Sequence, residues 1–186
     1  MKKILLILLL FVCVTVKAET IEVTFKKCVD GDTAWFIMND EEIKVRFIGI
    51  DAPEIDHEET PAEYYSLEAK AYVCNRLDNS KKIELEFDPN SDMQDKYDRF
   101  LAWVFVDDKL LQKDMVEKGF AKVAYLYDDY KYSNILIEGE KKAKHERLGI
   151  WKDYVEKDFN YYFSRYKNTI ILIGIFIIYL LFKKKR

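Results

Sequence analysis

The chain has 186 residues, 49% of them hydrophobic and 15% aromatic. That is enough for one folded domain and little more, and it excludes wholesale disorder. The formal net charge is −3, and without residues 1–18 and the four terminal cations it falls to about −10. A polyanion binder is usually basic overall, so any nucleic-acid function has to rest on local cations or on a bound metal.

Residues 1–18, "MKKILLILLLFVCVTVKA", have a basic start, an apolar stretch and a small residue at Ala18. This is the layout of a secretory signal peptide cleaved after Ala18, with an uncleaved anchor as the alternative. Phe11 and Val12 stand where small residues would precede a lipoprotein cysteine at Cys13.

The folded body is expected over 19–154. Ile21, Val23 and Phe25 alternate in a strand over 21–28, and "VDGDT" then marks a turn. A second strand is expected over 34–38. A third is expected over 43–50, with Ile43, Val45 and Phe47 on one face and Arg46 on the other. After an acidic loop, Ala69, Val73 and Leu77 lie four apart in a helix over 66–77. Strands follow over 82–87 and 101–106; the second is apolar on both sides, as in a strand covered on both faces. A short helix ends at Gly119, a short extended piece covers 121–127, and a last helix runs from Ser133 to about Arg147. This order suits an α+β oligonucleotide-binding (OB) fold: a five-stranded barrel with three helices.

Residues 155–168 read as a juxtamembrane spacer. Thr169 to Phe182 carry no charge, and Lys183 to Arg186 are all basic. Fourteen helical residues span roughly 21 Å, less than a hydrocarbon core of about 30 Å, but interfacial tyrosines and terminal lysines extend the reach. A transmembrane helix over 169–182 is therefore expected, with a cytoplasmic tail over 183–186 and the body outside the cytoplasm. An exported setting permits a disulfide between Cys28 and Cys74; two separate buried thiols are the alternative.

Asp32 follows the first turn, and Asp51 and Glu54 follow the third strand, so a meander can bring Asp32 and Asp51 together. Two close carboxylates repel unless a cation lies between them. Hard oxygen donors without His or Cys favour Ca2+ or Mg2+, with the Ala52 carbonyl and waters completing the shell. Arg46 and Arg99 beside such an ion describe a phosphate site. Glu54 is then the base or orienter for a water.

The pieces "VDGDT", "VRFIGIDAPE", "DKYDR", "GFAKVAYLY" and "ERLGIW", in that order over about 21–152, resemble the staphylococcal nuclease (thermonuclease) family. The resemblance implies an OB barrel with three helices and Ca2+-dependent hydrolysis of DNA and RNA that leaves a 3′-phosphate. It implies Asp32, Asp51 and the Ala52 carbonyl as calcium ligands, and Arg46, Glu54 and Arg99 as catalytic residues. It also implies Lys96, Tyr97, Tyr125 and Tyr127 as substrate-binding residues, in a monomer acting on DNA and/or RNA. The alternative is a non-catalytic OB module that binds nucleic acid or protein. Two departures stand out: Asp98 replaces a frequent glycine beside Arg99, and the loop "IDHEETPAEYY" is acidic. His57 and His145 read as solvated, and Trp35, Trp103 and Trp151 as packing residues.

Overall fold

A computed structural model describes residues 20–56 and 61–154, together with 167, 169, 171 and 173. The expected leader over 1–18, the tail, His57 and most of the spacer and apolar run lie outside the described residues. Among those described, no helix is long and apolar enough to cross a membrane.

The chain begins with β1 (Thr20–Glu22), β2 (Thr24–Cys28), β3 (Thr33–Met38), β4 (Glu41–Phe47) and β5 (Ile50–Asp51). Helix α1 (Ser66–Asp78) leads to β6 (Ile83–Glu86), β7 (Phe100–Val106) and β8 (Lys109–Leu110). Helix α2 (Leu111–Glu117), β9 (Lys122–Val123), α3 (Ser133–Glu146) and a 3-10 turn (Gly149–Trp151) complete the body.

The main sheet runs β1-β6-β7-β4-β3-β2, with β8 on β7, while β5 and β9 form a separate pair. This corrects the five-stranded barrel to an OB-like sheet whose hydrogen-bonded path stays open. The first expected strand is broken at Val23, whose N–H donates to the Ile83 carbonyl at 3.0 Å. Its two halves thus pair with β6 and β3, at opposite ends of the path.

The third expected strand is also shorter. It stops at Phe47 because Gly49 adopts φ +80°, where an added Cβ would stand 3.0 Å from the Trp103 ring. Glycine meets both demands, the left-handed backbone and the close approach. Ile50 and Asp51 are redirected onto β9. The expected extended piece over 121–127 contracts to β9, and Tyr125 beyond it has φ +57°.

Alternation places the core as anticipated. Ile43, Val45 and Phe47 point inward from β4 and are buried, as are Ala69, Val73 and Leu77 of α1. Each fully buried aliphatic or aromatic side chain contributes about 1.5–3 kcal/mol. Trp103 is fully buried within β7, between Ala102 and Val104, which are also buried. The buried Gln112 amide completes the backbone of β7. It accepts from Val104 N–H at 3.1 Å and donates to the Ala102 carbonyl at 2.9 Å. Trp35 and Trp151 are half-buried.

Cys28 and Cys74 form a disulfide that joins β2 to α1, with Cα atoms 5.7 Å apart. The bridge closes a sequence separation of 46 residues. In the chain-entropy account such a loop contributes about 4 kcal/mol at most, by restricting the unfolded chain. Denaturant unfolding of the full chain, with and without reductant, should show a lower midpoint after reduction. An unchanged midpoint would mean that the bridge carries no stability.

Candidate active site

The turn "VDGDT" places the first carboxylate. Val29 N–H donates to the Thr33 carbonyl at 2.9 Å, and Asp32 N–H donates to Asp30 Oδ1 at 2.9 Å. Gly31 matters here for space. A Cβ on it would meet the Ala52 Cβ at 2.6 Å and the Ala69 Cβ at 3.1 Å. The turn can therefore lie directly against the segment that carries Asp51.

Register supplies the next link. Thr33 pairs with Arg46 across β3 and β4. This aims the guanidinium at the residue before Thr33. Arg46 Nη2 lies 3.2 Å from Asp32 Oδ2 and 3.2 Å from Asp51 Oδ1. Its Nη1 donates to the carbonyls of Phe47 at 3.0 Å and Ile50 at 2.8 Å. The carboxylates do meet, and the cation between them is a protein side chain. Arg46 is held by Asp32 and Asp51 and by two carbonyls of its own segment.

Asp32 is only 4% exposed. Its Oδ2 accepts from Ala52 N–H at 2.7 Å and its Oδ1 from the Thr33 hydroxyl at 3.1 Å. Burial pushes its pKa up to about 7, opposed by the Arg46 charge and reinforced by Asp30. Desolvation of this buried carboxylate outweighs the attraction of Arg46. Asp51 is paired a second time: Lys122 Nζ lies 2.8 Å from its Oδ2. The hydrogen bond to Asp51 holds the Lys122 ammonium above its usual pKa.

Opposite this cluster lies the loop between β6 and β7. Asp95 Oδ1 accepts from the N–H groups of Tyr97 at 2.9 Å and Arg99 at 3.0 Å. Its Oδ2 accepts from Arg99 Nε at 2.7 Å and is paired with Nη2 at 2.6 Å. Burial alone would raise this carboxyl, but the Arg99 and Tyr97 donors hold it below the usual range. Asp98 occupies the left-handed region at φ +59°. That conformation suits the glycine for which it stands in.

The loop is tied to the chain that follows β9. Asp88, 4% exposed, accepts from the Trp103 indole and from Lys131 N–H, both at 2.8 Å. The Asn90 amide donates to the Asp129 carbonyl at 2.7 Å.

Between these segments opens a cleft of about 620 Å3. Arg46, Asp51, Glu54, Lys96, Tyr97, Arg99, Tyr125 and Tyr127 all line it. Asp32 and Ala52 are buried behind it and are not among the lining residues. Each guanidinium faces an aromatic ring. The Arg46 Cζ is 5.6 Å from the Tyr125 centroid, and the Arg99 Cζ is 5.5 Å from that of Tyr97. Tyr127 is 81% exposed, and its ring centre is 6.2 Å from that of Tyr125. Lys96 Nζ lies 4.9 Å from the Tyr97 centroid. Glu54 is exposed at the rim, where its N–H donates to Glu63 Oε2 at 3.1 Å.

Sequence reasoning missed Lys122, Asp95 and Tyr130, another cleft residue. The four-residue spacing of Asp95 and Arg99 was a usable signal, whereas the Lys122–Asp51 pair depends on a long-range strand pairing. Among the described residues no group of three or more His, Cys, Asp or Glu side chains is placed to hold a metal. Asp32 and Asp51 converge on one guanidinium nitrogen, and their hard carboxylate oxygens are donors of the kind that suit a hard divalent cation. The further ligands would have to be carbonyl or water oxygens.

A family model described as staphylococcal nuclease homologue matches residues 44–153. Asp32 lies upstream of that span. The chain is similar to the SPbeta prophage-derived endonuclease YokF of Bacillus subtilis (strain 168), 39% identical over 134 residues. That alignment covers 72% of this chain and 45% of YokF. Endonuclease YncB of the same organism is 37% identical over 134 residues, with 72% of this chain and 63% of YncB covered. Thermonuclease of Staphylococcus intermedius is 30% identical over 127 residues, covering 68% of this chain and 74% of that protein. The chain thus spans less than two thirds of the length of either Bacillus relative.

Two outcomes test the loop geometry. An acid whose pKa is lowered by folding adds stability above its unfolded value of about 3.9, and that stability is lost as pH falls through the folded value. The melting-temperature deficit of Asp95→Asn relative to the parent should therefore be full near neutrality and shrink below about pH 4. A pH-independent deficit would show that the charge of Asp95 is not what matters. Asp98→Ala should be less stable than Asp98→Gly by about 1 kcal/mol, because only glycine escapes the left-handed penalty. Equal stabilities in urea unfolding would refute the strained backbone.

Proposed function

The chain belongs to the staphylococcal nuclease family, and from that premise we propose that it is a calcium-dependent nuclease acting on DNA and/or RNA. The observation that carries this reading is the cleft itself. Two guanidiniums on separate segments line it together with Asp51, Glu54 and four further side chains suited to nucleotide contact.

Asp32, Asp51 and the Ala52 carbonyl would hold the calcium ion, whose charge offsets that of the phosphodiester and polarises water. Arg46 and Arg99, each held by its own carboxylate partners, set positive charge beside the non-bridging phosphate oxygens. That charge favours the extra negative charge of the five-coordinate transition state. Glu54, at the rim, takes a proton from the attacking water. The water oxygen bonds to phosphorus, the P–O5′ bond breaks, and the phosphate stays on the 3′ oxygen. The departing oxygen is protonated from solvent. Tyr97, Tyr125 and Tyr127 present exposed rings on which unpaired bases stack, and Lys96 adds a backbone contact.

The setting is proposed from sequence. The basic and apolar pattern over 1–18 and the uncharged run over 169–182 support an exported body anchored to the membrane. The Cys28–Cys74 disulfide supports an oxidising compartment. The body would then act outside the cytoplasm as a monomer.

Full chain incubated with single-stranded DNA should cleave it in calcium and not in chelator. Arg46→Ala and Glu54→Ala should each lower kcat by roughly 100-fold or more, as expected for removal of an electrostatic or proton-transfer group. Retained DNA binding with no cleavage at any calcium level would instead assign a binding module.

A further inference from the structure

Asp51 has two cationic partners. Both oxygens of Asp51 are engaged, Oδ1 by Arg46 at 3.2 Å and Oδ2 by Lys122 at 2.8 Å. The two partners are held very differently. The Arg46 side chain is 11% exposed and is anchored by the carbonyls of Phe47 and Ile50. The Lys122 side chain is 52% exposed and reaches Asp51 from the neighbouring strand of the β5–β9 pair. A half-exposed ammonium on a flexible stem gives up its partner more readily than an anchored guanidinium does, because water takes the partner's place around it. The anchored guanidinium has no comparable escape. A divalent ion that needs an Asp51 oxygen therefore has one cation to displace, and that cation is lysine.

We propose that Lys122 is a built-in counter-cation, neutralising Asp51 while no divalent ion is bound and leaving it when one binds. The proposal rests on the reading that Asp51 is a calcium ligand. Lys122 then sets cation affinity, as a positioning residue that contacts the ligand carboxylate. Its competition weakens calcium binding in the absence of substrate. The released ammonium stays near Asp51, itself a cleft residue, where a polyanion can take it up.

Calorimetric titration of the full chain with calcium chloride, without nucleic acid, tests this. Lys122→Met keeps the stem and removes the charge, so its Kd should fall by roughly threefold or more, at least the size of a solvent-exposed ion pair. Lys122→Arg should stay near the parent value, and Asp51→Asn should bind no calcium. A Lys122→Met affinity equal to or weaker than the parent's overturns the proposal and leaves a strand-pairing role. Calcium binding that is absent in the parent, or unchanged in Asp51→Asn, sinks the calcium-site reading as well.

A second measurement does not depend on the folding of the Lys122 variants. Amine labelling of the parent, read by mass spectrometry, should show Lys122 becoming more reactive when calcium is added. In Asp51→Asn it should be reactive with or without calcium. Labelling of Lys122 in the parent that ignores calcium also overturns the proposal.

Discussion

One guanidinium holds the site together. Arg46 Nη2 lies 3.2 Å from a carboxylate oxygen of each of two segments that are distant in sequence. Without a positive charge there, Asp32 and Asp51 would repel, and the buried Asp32 would be hard to keep ionised. Three backbone features make the meeting geometrically available. The Thr33–Arg46 register points the side chain toward Asp32. Gly31 lets its turn lie against Ala52, and Gly49 bends Ile50 and Asp51 back toward Arg46.

The opposite wall follows the same logic with different parts. Asp95 gathers two backbone donors and the Arg99 guanidinium, so one short loop both closes itself and orients its arginine. The buried Asp88 ties the start of that loop to β7 and to the chain beyond β9. The segments bearing Arg99 and Tyr130 are thereby cross-linked. The disulfide secures α1 against β2, just ahead of the turn that carries Asp32. An anionic chain can then present cations at one place, because its nearby acids hold those cations in position.

Much of this was readable along the chain. Ile43, Val45 and Phe47 alternate, and Ala69, Val73 and Leu77 recur every four residues, so core faces could be assigned without a structure. Of the eight cleft residues among the sequence candidates, Arg46, Asp51, Glu54 and Arg99 were read from residue chemistry and strand position, and Lys96, Tyr97, Tyr125 and Tyr127 from ordered motifs that resemble a known family. The boundaries were less legible. The first strand divides at Val23 because its halves pair with different partners, a fact that no local pattern records. The third ends early because Gly49 meets Trp103, more than fifty residues away in sequence.

Residue chemistry and local periodicity, then, were determined by the sequence alone: which faces are apolar, and which loops carry acids and arginines. These properties arise from neighbours a few positions apart, so a linear reading captures them. Tertiary structure decided the pairings. That Arg46 bridges the two aspartates, that Lys122 occupies the second oxygen of Asp51, and that Asp95 steadies Arg99 are statements about distances of about 3 Å. Such Coulombic and hydrogen-bond partnerships depend on where strands register and loops fold back. That placement is fixed only when the whole core packs.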